Sequence, residues 1–371
     1  MENISLKKWS EILTIVNGKN QKDVVNTNGP YPIYGSGGII GRASEYLCDA
    51  GTTIIGRKGT INSPIFVNEK FWNVDTAFGL SPNDGLEPKY LFFFCQYFNF
   101  KDLDKSTTIP SLAKRDLLQI EMPYPPLEEQ KRIVARIEEL FSELDAAVAT
   151  LERTKEQLAV YRQAVLKEAF SSLSVTDTLK NQTSLITSGS RGWAKYYSGT
   201  GAQFLRIGNL THSGIDINFD EIQHLTLPES VEGKRSRLIS NDILISITAD
   251  LGSIGLVPEN IDESYINQHL ALVRLKSPEM GKFIAWYLRS EIGQKDLLKN
   301  KRGAGKLGLG LDDIRGTMIP VVSVEFANSI VSKIESRLSA CDKIEETVNT
   351  ALQEAEAMRQ SILKQAFAGE L

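Results

Sequence analysis

The sequence predicts an α+β protein in which two similar strand-rich α/β modules are separated by two long α-helices packing as an antiparallel coiled coil. Three observations predict it. Residues 133–170 recur at 330–367 without a gap, so that Ile133-Val134, Asp145, Arg162-Gln163 and Ala169-Phe170 return as Ile330-Val331, Asp342, Arg359-Gln360 and Ala366-Phe367. Both copies carry an apolar stripe at alternating three- and four-residue spacing, the signature of a helix with one buried seam. The segments before them are punctuated by Gly and Asn between short β-branched runs. A repeat of this length is far beyond a solenoid unit of about 20–50 residues, so the duplicated unit is a module plus a helix.

In order along the chain, residues 1–126 form the first module. Thr52-Thr53-Ile54-Ile55 and Ile65-Phe66-Val67 are predicted strands, and Pro88 to Phe98 a core helix with aromatic residues on most sides. Pro123-Tyr-Pro-Pro126 ends the module. Proline at a helix start and Glu128-Glu129 beside the N-terminal dipole open the first long helix, residues 127–172. Its predicted seam is Ile137, Leu140, Leu144, Ala147, Leu151, Leu158, Tyr161 and Val165. Residues 173–323 form the second module, with strands near 202–208, 242–248 and 270–275 and an aromatic helix near 279–289. Ser323 is the N-cap candidate of the second long helix, residues 324–371. The seam predicted there is Ile334, Cys341, Ile344, Val348, Ala351, Ala355, Met358 and Ile362. A helix of roughly 43 residues is about 65 Å long, longer than a domain of ~125 residues is wide, so each seam is expected to find the other copy.

Composition narrows the function. The chain has 371 residues and a net charge of −4, which taken alone argues against nucleic acid. The acid is concentrated in the helices, however: residues 127–172 hold nine Asp/Glu against seven Lys/Arg, and 324–371 hold eight against five. Cys48, Cys95 and Cys341 show no CxxC spacing and His212, His224 and His269 no HxxxH spacing, so neither a disulfide framework nor a metal site is expected. Without a long apolar run or a signal-peptide pattern, no membrane partner and a cytoplasmic location are expected.

Several chemical motifs are refused. Gly303-Ala-Gly-Lys-Leu-Gly308 matches GxGxxG in letters but follows a helix-like stretch instead of a strand. The single Pro-Pro, at 125–126, lacks the flanking residues of an amino-methyltransferase loop, and Glu69-Lys70 and Glu232-Gly-Lys234 are not nuclease clusters. His269 is read as a packed or hydrogen-bonded residue. No catalytic site is expected.

The segment Pro123-Tyr-Pro-Pro-Leu-Glu-Glu-Gln-Lys-Arg-Ile-Val-Ala-Arg-Ile-Glu138, the helix ending Leu166-Lys-Glu-Ala-Phe170 and the closing Ile362-Leu-Lys-Gln-Ala-Phe-Ala-Gly-Glu-Leu371 resemble the specificity subunit of type I restriction–modification systems. Tyr31-Pro-Ile-Tyr-Gly-Ser-Gly-Gly-Ile-Ile-Gly41 and Gly51-Thr-Thr-Ile-Ile-Gly-Arg-Lys-Gly59 are similar to target-recognition-domain motifs. The resemblance implies a non-catalytic subunit whose two modules each recognise half of a split double-stranded DNA site. It also implies helices that dock modification subunits, two of them, and through these the restriction subunits. S-adenosylmethionine, ATP and Mg would then be bound by the partners and none by this chain. One departure is plain: the second helix begins Pro320-Val-Val-Ser-Val-Glu325 where the first has Pro-Tyr-Pro-Pro-Leu-Glu.

DNA recognition needs Arg/Lys and Asn/Gln at base edges and Lys/Arg, hydroxyls or backbone N–H at phosphates. Candidates in module one are Tyr34, Ser36, Gly37, Arg42, Arg57, Lys58, Thr60, Lys105, Thr107 and Lys114. In module two they are Arg191, Lys195, Arg206, Asn209, Lys301, Arg302 and Lys306. The competing reading of any one of these is a solvated surface charge, and of the whole chain a duplicated coiled-coil adaptor that binds no DNA.

Overall fold

The structure, a computed structural model, describes residues 5–211, 214–227, 234–299, 301 and 308–371. It divides into two compact units, residues 1–152 with 348–371, and residues 153–347. Each unit holds one module and one half of each long helix, Leu127–Phe170 and Val324–Ala368.

The modules share one topology. In the first, an antiparallel sheet has the order Leu13–Asn17, Ala77–Pro82, Thr52–Gly56, Ile65–Val67; in the second the order is Thr183–Ser188, Leu270–Leu275, Ile243–Ser246, Ile254–Leu256. Their central strands are buried on both faces, which is why they read as unbroken apolar runs and not as alternation. Ile54 and Ile55 feed different core clusters, as do Leu244 and its neighbours Ile243 and Ile245. A second sheet in each module contains one parallel pair, Tyr31–Gly35 with Trp72–Asn73 and Ala202–Leu205 with Ser264–Ile266. The helices Pro88–Tyr97 and Gly281–Arg289 pack their aromatic faces inward.

Each core is completed by the far end of a long helix. Phe367 packs against Tyr90, Phe94 and Tyr97 at ring separations of 5.1, 5.2 and 5.5 Å. Its repeat counterpart Phe170 packs against Phe283 and Tyr287 at 5.6 and 5.5 Å. Module one is therefore closed by the C-terminal turns of the second helix, and module two by those of the first.

Within each unit the helices run antiparallel. In the first, Arg359 pairs with Asp145 and lies 4.9 Å over the Phe141 ring. In the second, Arg162 pairs with Asp342 at 2.7 Å and with Glu345 at 2.8 Å. Asp145 and Arg162 are the repeat counterparts of Asp342 and Arg359, so the two contacts are one contact made twice. Charged groups inside a seam set register, because a shifted pairing would strand them.

Those ion pairs correct the predicted stripe. Ile137, Leu144, Leu158, Ile334, Cys341 and Val348 are buried, and Leu140 and Leu151 half-buried. Ile344 and Met358 are instead 46% and 53% exposed. Ala147 and Tyr161 also lie on the exposed side. The three-four spacing passes through Glu345 and Arg359, and through the buried Leu338, which the predicted stripe leaves out. Choosing positions by apolarity alone overlooks that two seam positions are held by charges neutralised across the pair.

The departure at the helix starts also has a structural reason. Gln130, fully buried, donates from Nε2 to the Gly85 and Pro125 carbonyls at 3.1 and 2.9 Å and accepts from the Glu87 amide at 2.8 Å. The first helix is thereby bolted to module one. Ala327 stands at the counterpart position, buried in an apolar core. Gln130→Ala strands the Glu87 amide and two carbonyls and should cost about 1–3 kcal/mol, whereas Met358→Ala should stay within about 0.5 kcal/mol; urea unfolding of the two variants checks both.

Candidate nucleic-acid interface

Sequence-distant candidates in module one converge along a single backbone ledge. The Val74 amide donates to the Tyr34 carbonyl at 3.0 Å, and the Arg57 amide to the Thr76 carbonyl at 2.8 Å. The Leu112 amide then donates to the Arg57 carbonyl at 2.9 Å, and Lys58 bridges to Ser111. This brings Arg57, Lys58 and Thr60 beside the loop containing Lys105 and Thr107. Lys58, Thr60, Lys105 and Thr107 are exposed. Ser36 and Gly37 form the turn after Tyr31–Gly35, at the strand end where Val74 meets Tyr34. Burial, and then the Glu69 charge, raise the Tyr34 phenol above its ordinary value and keep it protonated.

Two candidates also make bonds inside the module. Arg42 donates from Nε to the Gly29 carbonyl and from a terminal nitrogen to that of Pro30, at 2.6 and 2.7 Å, holding the loop before its own hairpin. Lys114 donates to the Ile15 carbonyl at 2.7 Å and ties its short helix to the sheet. Arg57 is partly spent on the Asp75 carbonyl at 2.9 Å, and Lys105 sits 3.2 Å from Asp116.

Module two repeats the ledge. The Asn267 amide donates to the Leu205 carbonyl at 3.3 Å, the Ile247 amide to the His269 carbonyl at 3.0 Å, and the Leu309 amide to the Ile247 carbonyl at 3.0 Å. Thr248 bridges to Gly308 as Lys58 does to Ser111. Ser190 bridges to Asn267, which places exposed Arg191 at the edge of the ledge. That approach requires Gly189, where any Cβ would strike the Ile266 and Asn267 backbone.

A cavity of about 460 Å³ opens on this ledge, lined by Arg206, Asn218, Glu221, Asn267 and His269 among others. His269 Nδ1 lies 2.7 Å from Thr248 Oγ1, and its Nε2 lies 2.8 Å from Gln268 Nε2. Both ring nitrogens are engaged, so His269 positions its neighbours. Asn209, predicted at a base edge, is buried instead. It lines the cavity, where its Oδ1 accepts from the Arg206 amide at 2.9 Å and its Nδ2 donates to the Asn218 carbonyl at 3.0 Å. Lys195 is exposed with its ammonium 4.8 Å over the Tyr196 ring, and Lys301 is exposed. Arg302 and Lys306 lie outside the described residues.

Asn218, Glu221, Asn267 and Gln268 escape sequence reasoning because no constant offset links the two ledges. Arg57 corresponds to Ile247, an offset of 190; Thr76 to His269, 193; and Leu112 to Leu309, 197. Among the described residues there is no group of three or more His, Cys, Asp or Glu placed to hold a metal. Nor is any helix there long and apolar enough to cross a membrane.

A mixed-sheet module with the same backbone ledge, packed on antiparallel helix halves, thus occurs once in each unit. Residues 1–158 match the family described as type I restriction modification DNA specificity domain. The chain is 28% identical over 300 residues to the type I restriction enzyme EcoBI specificity subunit of Escherichia coli, covering 72% of this chain and 61% of that protein. It is 27% identical to the StySPI specificity subunit of Salmonella potsdam, covering 79% and 67%. Its fold also matches a solved chain, from work on complex assembly and conformational transition of the type I R-M system, with TM-score 0.77 and 17% identity over 99% of this chain and 98% of that one. Over most of its length the chain is thus similar to type I restriction–modification specificity subunits.

One loop of the ledge depends on a single carboxylate. Asp104 Oδ1 accepts from the Ser106 hydroxyl at 2.7 Å and from the Ser106 and Ser111 amides at 3.0 Å, and these bonds hold its carboxyl below the usual range. A depressed carboxyl pKa contributes fully above the ordinary value of about 3.9, and that contribution is lost as pH falls from there through the lower folded-state value. Hydrogen exchange should show the Ser106 and Ser111 amides protected down to that range, and exchanging about tenfold faster in Asp104→Ala.

Proposed function

We propose that the chain is the sequence-specific DNA-binding subunit of a type I restriction–modification complex, each module recognising one half of a bipartite, asymmetric site. The observation that carries this reading is the ledge built twice from the same backbone bonds and furnished with different side chains: Tyr34, Arg57, Lys58 and Thr60 in one module, and Arg206, Thr248, Asn267 and Gln268 in the other. Identical frames with unlike donors and acceptors suit two unlike half-sites and not a palindrome.

In this reading the helix pair fixes the half-site separation, at about one DNA turn, 34–36 Å, or slightly more. The outer faces of the helices dock two modification subunits, which in turn carry the restriction subunits. The chain supplies recognition and no chemistry. S-adenosylmethionine for methyl transfer, and ATP with Mg for translocation and cleavage, belong to the partners.

Mapping methylated adenines in cells that co-express the chain with its modification subunits should show a split motif, and exchanging residues 1–126 for another such module should change one half only. A continuous motif, or methylation by the purified chain alone, would overturn the proposal.

A further inference from the structure

The module-two cavity holds two charged side chains of opposite sign that do not meet. The Arg206 guanidinium and the Glu221 carboxylate both line it, and neither has a hydrogen-bond or ion-pair partner among the described residues. They are kept apart by backbone. Asn209 takes the Arg206 amide on its Oδ1 and grips the Asn218 carbonyl with its Nδ2; the Asn218 amide returns to the Asn209 carbonyl at 2.8 Å. Asn218 Oδ1 then accepts from the Asp220 amide at 2.7 Å and shapes the turn that delivers Glu221. One buried asparagine thus sets the positions of both charged residues. The opposite wall is fixed by Asn267, whose Oδ1 accepts from the His269 amide at 3.0 Å, and by the Thr248–His269–Gln268 chain.

A phosphate does not suit this arrangement, because the free carboxylate would repel it. A donor fork and an acceptor facing one space match instead the major-groove edge of a single base pair: guanine offers the O6 and N7 acceptors and cytosine the N4 donor. Resting on the DNA-recognition function proposed above, we propose that this cavity reads one G·C pair of the module-two half-site, with Arg206 donating to guanine O6 and N7 and Glu221 accepting from cytosine N4. Asn209 acts as the positioning residue.

The test uses the full chain assembled with its modification subunits and duplexes carrying the mapped target. Each guanine of the module-two half-site is replaced in turn by 7-deazaguanine, which lacks the N7 acceptor, and binding is measured. One guanine should show a loss of roughly 5- to 150-fold. That penalty should vanish in Arg206→Ala, and Glu221→Gln should relax discrimination at the same base pair alone. If no guanine of that half-site is sensitive in the unaltered complex, or the penalty persists undiminished in a folded Arg206→Ala, the inference falls while the bipartite reading stands. If Arg206→Ala lowers the melting temperature, Arg206→Gln replaces it in the same cycle. A complex that binds no bipartite target at all would remove the functional proposal itself.

Discussion

The closure of each module by a distant helix end is the constraint on which the rest of the structure depends. Phe367 and Phe170 pack against aromatic residues that lie more than a hundred positions away from them in sequence. A module deprived of its closing helix would expose Tyr90 and Phe94, or Phe283 and Tyr287, to water. Rings of this size bury more apolar surface than any aliphatic side chain, so their exposure would cost each core heavily. The helices therefore complete the cores of the modules they join, and each unit contains a part of both long helices.

The same packing explains why charges occupy the seam. Arg162 and Arg359 lie between helices that must meet in one register, since a slip of either would tear Phe170 or Phe367 from its core. A carboxylate supplied by the opposite helix neutralises each of them. The units solve this differently in detail: the first adds the Phe141 ring beneath the guanidinium, the second adds Glu345. The repeat is thus close in placement and loose in chemistry, as in the two ledges.

On the ledges, the frame is backbone and the chemistry is side chain. Backbone bonds from the Thr76 and His269 carbonyls and the Leu112 and Leu309 amides recur in both modules and constrain no side chain. Arg42, Lys114 and Asn209 show the opposite case: polar residues that look like readers in the sequence but that also bond to backbone inside the module.

By itself, the sequence determined the duplication, the two long helices and their buried faces at Ile137, Leu144, Ile334 and Val348, because periodicity and constant offset are local, linear signals. Tertiary structure alone decided which polar residues are free. Arg206 and Asn209 stand three apart on one turn and line the same cavity, yet Asn209 is buried and bonded to the Arg206 amide and the Asn218 carbonyl while Arg206 is only half-buried. It also decided that Glu345 and Arg359, not Ile344 and Met358, belong to the seam, since a charge is tolerated inside only when its partner arrives from another part of the chain. Partners brought together by folding leave no trace in a single linear pattern, so the scaffold was legible from the residues and the make-up of the two ledges was not.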